Sequence, residues 1–175
     1  PKPVAAAIHG IAAGGGLEVA LGCHYRLASP NTRVGLPEVT LGIVPGAGGT
    51  QRLPRLVGAQ RALELITAGT LISVDKAHAI GLVDEIVPED LVDASICFVR
   101  RLVEQGTVVR RTRDLDAALK EAAHNPRIFD NFRAEIDKRA RGFDAPQQCI
   151  ACVETAVSAP FAEGLAKERK TFQQL

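Results

Sequence analysis

Three consecutive glycines, Gly14 to Gly16, separate an apolar segment from a segment with helical character. Residues 4–8 form a short continuous apolar run, which is typical of a strand buried on both faces. Residues 17–23 are mostly apolar, contain no proline and predict a helix. Glycine has no Cβ and tolerates positive φ, so a ligand can lie directly against such a backbone. The sequence therefore predicts a strand, a glycine turn and a helix, in that order.

The glycine turn is a candidate binding site because the first N–H groups of a helix have no partner within it. They also carry the positive end of the helix dipole, which stabilises an anion or a carbonyl oxygen that becomes one. Glu18 lies in the first turn, close to where chemistry could occur. The alternative is an ordinary strand-to-helix turn with a solvated glutamate, since glycine-rich turns are common in α/β proteins. The local sequence leaves both interpretations open.

Glu38 is a second glutamate in an unusual context, because it follows a proline inside the apolar run of residues 34–41. Apolar surroundings disfavour the charged form of a carboxylate and raise its pKa, which suits it for proton transfer near neutral pH. Two such groups beside a polarised carbonyl could share acid and base duties. We expect Glu38 in an extended segment that continues from Arg33. A strand-end carboxylate that accepts backbone N–H bonds is an equally weighted alternative.

Motifs of several other enzyme classes are missing from the sequence. The second glycine-rich loop, residues 42–50, lacks the Gly-Lys-Ser/Thr of a P-loop and the third glycine of the dinucleotide fingerprint. The chain contains neither a Gly-x-Ser-x-Gly nucleophile elbow nor a His-Glu-x-x-His zinc motif. The four histidines are dispersed, and we predict structural or solvated roles for them.

Charge and hydropathy restrict the function further. The chain has 21 basic and 20 acidic residues, which gives no electrostatic reason to expect nucleic acid. Its basic runs at 100–101, 110–113 and 138–141 are predicted to be solvated faces, with a phosphate contact as the less favoured alternative. We find no apolar run near the ~20 residues that cross a bilayer and no signal-peptide pattern, so we expect a soluble intracellular protein. Cys149 and Cys152 are predicted to pack in the core as reduced thiols.

Short strands and helices alternate in the first part of the chain, and helices alone follow. Strands are predicted at 25–28 and 82–88, and helices at 59–68, 74–80 (capped by Ser73) and 91–104. Further helices are predicted at about 114–124, 126–141, 147–158 and 160–172. We therefore predict an α/β fold with two regions, a mixed core at 1–106 and a helical region at 107–175.

Three stretches of the sequence resemble the crotonase, or enoyl-CoA hydratase/isomerase, superfamily: KPVAAAIHGIAAGGGLEVALGCHYRLA, GLPEVTLGIVPGAGGTQRLPRLVG and AHAIGLVDEIVP. Their residues are most similar to those of the hydratase/isomerase part of multifunctional fatty acid β-oxidation enzymes. The final stretch, APFAEGLAKERKTFQQL, resembles the helix at the end of that part. The resemblance implies a partial crotonase-like ββα spiral followed by helices of the trimerisation or linker type.

The resemblance also implies roles for individual residues. Gly15, next to Gly14, matches the position whose backbone N–H donates to the thioester oxygen in the oxyanion hole. Glu18 and Glu38 match the two catalytic glutamates of the hydratases: the first deprotonates the water that adds to C3, and the second delivers a proton to C2. In an isomerase reaction, Glu38 would move a proton between C2 and C4. The loop from Pro45 and Gly46 to residue 49 would line the acyl pocket.

The resemblance implies an acyl-CoA substrate and no metal or redox cofactor, since coenzyme A enters as part of the substrate. Family members carry a segment before the Lys2-Pro3 motif that holds the second oxyanion N–H, so we expect the sequence to be an internal fragment. Loss of one such donor typically slows catalysis ~10²–10³-fold. The hypotheses are an enoyl-CoA hydratase of fatty acid β-oxidation, with an added isomerase activity, and a non-catalytic fragment or interaction module. We expect a homo-oligomer or part of a larger multifunctional chain, located in the cytoplasm or, in a eukaryote, in the peroxisome.

Overall fold

The computed structural model describes residues 2–88, 90–139 and 142–175. In this part of the chain short strands and helices alternate as far as α5, and helices follow. The elements are β1 (Ala5–Ile8), β2 (Ile11–Ala13), α1 (Gly15–Gly22), β3 (Tyr25–Ala28), β4 (Arg33–Gly35), α2 (Gly49–Val57), α3 (Ala59–Ala68), β5 (Ile72–Ser73), α4 (Val74–Ala79), β6 (Glu85–Ile86), α5 (Leu91–Glu104), α6 (Lys120–His124), α7 (Arg127–Arg139), α8 (Asp144–Ser158) and α9 (Phe161–Gln174). This arrangement confirms the predicted α/β class with a helical C-terminal region.

The strands form two small sheets, each with three strands in the described part of the chain. In the first, β3 lies between β1 and β6, and all pairs are parallel. In the second, β4 pairs parallel with β2 and antiparallel with β5. The consecutive strands β1 and β2 enter different sheets, because Gly10 between them has φ of 70° and redirects the backbone. The predicted direct passage from one strand to the glycine turn was therefore wrong, since β2 lies between them.

One large hydrophobic cluster joins the sheets to helices from both regions of the chain. It contains Leu21 of α1, Val34 of β4 and Ile66 of α3, together with Ile150 and Val153 of α8. Helix α8 packs directly against α2 and α3. The division into residues 1–106 and 107–175 stays a prediction, and the two regions share this core.

A buried arginine ties β3 to the segment before β6. Arg26 is fully buried, and its guanidinium donates to the carbonyl oxygens of Leu82 at 2.8 Å and Cys23 at 3.1 Å. Asp84 pairs with both Arg26 and Arg110. The basic side chain is thus neutralised and hydrogen-bonded, as a buried charge must be.

Several predicted elements have the bounds that the sequence indicated. β3, α3 and α5 match the predicted ranges 25–28, 59–68 and 91–104. The hydroxyl of Ser73 accepts from the N–H of Lys76 and caps α4, as predicted. Local signals were sufficient here because glycines, caps and apolar periodicity all favoured the same element.

Other elements differ from the prediction because packing overrides local preference. The strand predicted at 82–88 is limited to Glu85–Ile86. The N–H groups of Leu82 and Val83 donate instead to the carbonyl oxygen of Ala77, near the end of α4. The helix predicted at 114–124 is also wrong. Two 3₁₀ turns that pack against α2 bury Thr112 and Leu119, and only Lys120–His124 is α-helical.

The boundaries of the last helices agree to within a few residues. Helix α7 ends at Arg139, whereas the predicted end at residue 141 lies outside the described residues. The basic run at 138–141 lies partly outside them too. Helix α8 begins at Asp144 rather than residue 147, because Pro146 is tolerated in a first turn. Helix α9 runs to Gln174, two residues beyond the predicted end.

The two cysteines have the buried position that we predicted, whereas basic residues of the predicted solvated runs also form ion pairs. Cys149 and Cys152 are buried in α8 as free thiols. Arg101 pairs with Glu85, and Arg110 pairs with Asp84. None of the helices in the described part of the chain combines the length and apolarity that a membrane crossing needs.

Gly35 provides a test of the packing around β4. A Cβ at this position would lie 2.6 Å from the carbonyl oxygen of Thr70 and 2.9 Å from Cδ2 of Leu71. Because a backbone carbonyl cannot move aside cheaply, we expect Gly35→Ala to lower the free energy of unfolding by about 1–3 kcal/mol, measured by urea denaturation. Gly22→Ala is the control, because a Cβ there meets nothing within 4 Å. Equal stability of both variants would contradict the packing described here.

Candidate active site

The glycine turn lies at the N-terminus of α1 and is anchored to β4. Gly14 precedes the helix with φ of 55°, and its N–H donates to the carbonyl oxygen of Gly35 at 3.0 Å. Gly15 and Gly16 are exposed, and a Cβ on either would meet nothing within 4 Å. The space beside the first N–H groups of α1 is therefore open, as a ligand that approaches the backbone requires.

Glu38 does not lie in an extended segment, and that prediction was wrong. It begins a 3₁₀ turn, Glu38–Leu41, because Pro37 adopts a turn conformation and Thr40 donates back to the Pro37 carbonyl oxygen at 2.9 Å. The turn directs the Glu38 carboxylate onto Gly14. A Cβ at Gly14 would lie only 3.2 Å from Oε1 of Glu38. The glycine turn and Glu38 are thus brought together by the tertiary structure.

The carboxylate of Glu38 is buried and poorly solvated. The residue is 8% exposed, and Oε2 has no hydrogen-bond partner among the residues that the structure describes. Burial raises the pKa of Glu38 to about 7, the nearby charge of Glu18 raises this pKa further, and the residue's own backbone N–H opposes both. Near neutral pH this carboxyl group can therefore either donate or accept a proton.

Glu18 has a different environment from Glu38. It is only 5% exposed, whereas the alternative interpretation of the glycine turn placed it in solvent. Its Oε1 accepts from the backbone N–H groups of Ala47 at 2.8 Å and Gly49 at 2.7 Å. These donors lie at the start of α2. We did not predict this helix from the sequence, and Pro54 inside it disfavours a helix locally. These two N–H bonds fix the position of the Glu18 carboxylate beside α2.

Pro45 and Gly46, the predicted acyl-pocket residues, lie in the loop before α2. Pro45 is buried against Gly49. Gly46 lies against α9, since a Cβ on it would be 2.6 Å from the ring of Phe172. The loop is thus packed between the glutamate of α1 and the last helix of the chain.

Glu168 on α9 is the residue at this site that the sequence did not reveal. It is 1% exposed, and its carboxylate accepts from the N–H of Gly48 at 2.6 Å, the N–H of Thr50 at 2.9 Å and the hydroxyl of Thr50 at 2.5 Å. Burial raises the pKa of Glu168 to about 7, although all three donors oppose this. One sequence signal was available: Gly164, Glu168 and Thr171 recur at helical spacing and form the buried face of an otherwise charged helix.

No three His, Cys, Asp or Glu residues among those described come close enough to hold a metal ion. A cleft of about 510 Å³ beside α3 and α7 shares no lining residue with the site of Glu18 and Glu38. Glu18 and Glu38, the two glutamates singled out from the sequence, lie at the glycine turn and the start of α2.

Comparison with known proteins shows the family to which the chain belongs. Residues 1–156 match the family described as "Enoyl-CoA hydratase/isomerase". The chain is 43% identical over 174 residues to the peroxisomal bifunctional enzyme of Homo sapiens. It is 42% identical over 175 residues to the glyoxysomal fatty acid beta-oxidation multifunctional protein MFP-a of Cucumis sativus. Both alignments cover 99% of this chain and 24% of the relative, so the chain spans about a quarter of these relatives.

Solved structures give the same result at the level of the fold. An enoyl-CoA hydratase from Bacillus anthracis superposes with a TM-score of 0.58 at 32% identity, covering 100% of this chain and 54% of that one. A protein from Geobacillus kaustophilus, described as enoyl-CoA hydratase subunit I, superposes with a TM-score of 0.56 at 35% identity and covers 98% of this chain and 53% of that one. These similarities confirm the crotonase-like fold that the sequence motifs indicated.

The raised pKa of Glu38 predicts a dependence of stability on pH. The ordinary value is 4.5 and the value in the folded protein is about 7, so the folded state holds this proton where the unfolded state has lost it. The resulting stabilisation is complete below the ordinary value and is lost as pH rises through about 7. Between about pH 5 and pH 8, we expect the wild type to lose about 2 kcal/mol relative to Glu38→Gln, measured by urea unfolding at each pH.

The comparison with Glu38→Gln isolates this group, because Glu168 titrates in both proteins. Glu163→Gln is the control for the chemical change, since Glu163 is an exposed residue of α9. Parallel curves for the wild type and Glu38→Gln would show that the Glu38 carboxyl group is not desolvated.

Proposed function

This chain belongs to the enoyl-CoA hydratase/isomerase family, and on that basis we propose that its site adds water to the double bond of 2-enoyl-CoA thioesters in fatty acid β-oxidation. The observation that carries the proposal is the position of two dissimilar buried carboxylates beside the glycine turn. Glu18 accepts two backbone N–H bonds, whereas Oε2 of Glu38 accepts none. Carboxyl groups with such different environments suit separate base and acid roles.

The thioester carbonyl oxygen is placed at the N-terminus of α1 in this proposal. There the backbone N–H of Gly15 donates to the oxygen, and the helix dipole favours the negative charge that it gains as the enolate develops. Gly15 and Gly16 leave the approach to this backbone open. Pro45 and Gly46 border the acyl chain in the same proposal.

Glu18 acts as the base and Glu38 as the acid. Glu18 accepts a proton from a water molecule as the water oxygen bonds to C3. The double bond between C2 and C3 becomes single, and protonated Glu38 transfers its proton to C2. Water is thereby added to one face of the double bond, and proton exchange with solvent restores both carboxyl groups. The pKa of Glu38 near 7 keeps a substantial protonated fraction available at neutral pH.

The same geometry supports an isomerase activity on 3-enoyl-CoA thioesters as a further part of the proposal. That reaction needs one group that removes a proton from C2 and returns it to C4, and no water is consumed. Glu38 suits this role, because its unpartnered carboxyl oxygen lies in a poorly solvated position beside the turn that binds the thioester. Glu18 would then be dispensable for isomerisation.

We propose no metal or redox cofactor, since Gly15, Glu18 and Glu38 supply the polarisation, base and acid that hydration requires. Coenzyme A enters as part of the substrate. The relatives named above are described as peroxisomal, glyoxysomal, bifunctional or multifunctional. We therefore propose that this sequence functions as a homo-oligomer or within a multifunctional chain, in the peroxisome of a eukaryote or the cytoplasm otherwise.

Substitution of each glutamate in the intact protein tests the assignment. Glu18→Gln and Glu38→Gln keep the side-chain size but remove the base and the acid, so we expect each to lower kcat for hydration of a 2-enoyl-CoA about 10²–10⁴-fold. The loss of enoyl thioester absorbance measures this rate. With a 3-enoyl-CoA substrate, Glu38→Gln should lose isomerase activity, whereas Glu18→Gln should retain it.

The exposed Glu163→Gln variant serves as the control, and its rates should equal those of the wild type. Normal hydration by Glu38→Gln would contradict its role as the acid. Absence of hydration by the wild-type intact protein would contradict the proposed function and would favour the non-catalytic interaction module instead.

A further inference from the structure

Four consecutive backbone N–H groups at the start of α2 are divided between two carboxylates. Those of Ala47 and Gly49 donate to Glu18 on α1. Those of Gly48 and Thr50 donate to Glu168 on α9. The donors alternate along the backbone, so the segment at residues 47–50 is held by one carboxylate from α1 and the other from α9.

Two further contacts hold α9 close to this segment. Gly164, one turn before Glu168, lies where a Cβ would be 1.9 Å from Oε1 of Gln51, so a larger residue would displace the Gln51 side chain. The amide of Gln51 donates to the hydroxyl oxygen of Thr50 at 2.9 Å and to the carbonyl oxygen of Cys152 at 2.8 Å. The Thr50 hydroxyl donates in turn to Glu168 at 2.5 Å. Helices α2, α8 and α9 thus meet in one hydrogen-bonded cluster around Glu168.

The backbone at residues 47–50 needs such support because it contains two glycines. Gly48 has φ of 99°, in the left-handed region, and glycine has more accessible backbone conformations than any other residue. A small rotation at Gly48 would turn the N–H groups of Ala47 and Gly49 away from Glu18. The carboxylate of Glu168 accepts from the N–H of Gly48 and from the N–H of Thr50, so it holds the backbone on both sides of Gly49.

We propose that Glu168 is a positioning residue, which fixes residues 47–50 so that the N–H groups of Ala47 and Gly49 hold the Glu18 carboxylate in place. The catalytic consequence rests on the function proposed above, while the structural consequence does not. Glu168 touches no reacting atom and acts only through the backbone and Glu18. Its effect should therefore fall on kcat rather than on the binding of the thioester.

Glu168→Gln in the intact protein tests this inference. Glutamine has the same shape, but its NH₂ group must face one of the donors that converge on Glu168, so one hydrogen bond is replaced by a repulsive contact. We expect kcat for 2-enoyl-CoA hydration to fall about 10–100-fold while KM changes by less than about threefold, because misplaced catalytic groups slow the chemical step. Amide deuterium uptake of a peptide that spans residues 44–53 should increase in parallel.

Glu163→Gln, on the same helix but exposed, is the matched control for both measurements. Thr50→Val is the second variant, used in case Glu168→Gln does not fold. It removes the hydroxyl that donates to Glu168 and keeps the backbone donors, so it should change kcat and deuterium uptake in the same direction by a smaller amount.

The combined measurements separate this inference from the proposed function. Faster deuterium uptake with unchanged kcat would show that Glu168 only stabilises the fold and would overturn the positioning role. Unchanged uptake would overturn the inference whatever the activity. If the wild-type protein does not hydrate enoyl thioesters, the proposed function fails, and the uptake measurement still decides whether Glu168 holds residues 47–50.

Discussion

The described structure depends on how the backbone N–H groups at the start of α2 are satisfied. A helix N-terminus leaves N–H groups without partners, and burial makes such groups costly. Here Glu18 and Glu168 accept four of them in alternation. Because one acceptor lies on α1 and the other on α9, the same interaction that satisfies α2 also draws both ends of the described chain to one place.

Burial of carboxylates gives this arrangement its chemical character. At Glu168, burial outweighs three opposing hydrogen-bond donors and raises the pKa to about 7. At Glu38, burial is opposed only by the residue's own N–H, and the pKa is also about 7. The two carboxyl groups have similar pKa values in different surroundings. Glu168 accepts from three donors, whereas Oε2 of Glu38 has no partner in the described part of the chain. The proposed acid is thus the group whose carboxyl oxygen remains available for proton transfer.

Elements with several agreeing local signals could be predicted from the sequence, and elements set by packing could not. Helix α3 ends at Gly69 and α5 begins after Asp90, which caps it, so their bounds followed from residue type. Glu38 was assigned to an extended segment because its neighbours are apolar. In the structure the N–H of Thr40 donates to the carbonyl oxygen of Pro37, and residues 38–41 form a 3₁₀ turn instead. Helix α2 was missed because Pro54 disfavours a helix locally, whereas packing against α3 and α8 supports it.

The sequence by itself determined the family and the glycine turn, and it singled out Glu18 and Glu38 as candidate catalytic residues. These features could be recognised because they depend on residue type and short spacing: glycine leaves the backbone open to a ligand, and a carboxylate among apolar residues has a raised pKa. The approach of Glu38 to Gly14 was decided by the tertiary structure. Only the tertiary structure decided that Glu168 belongs to the same site. The bond from Gly48 to Glu168 joins residues 120 positions apart, and no local periodicity specifies a partner at that distance, since it arises only when the core brings α9 against α2.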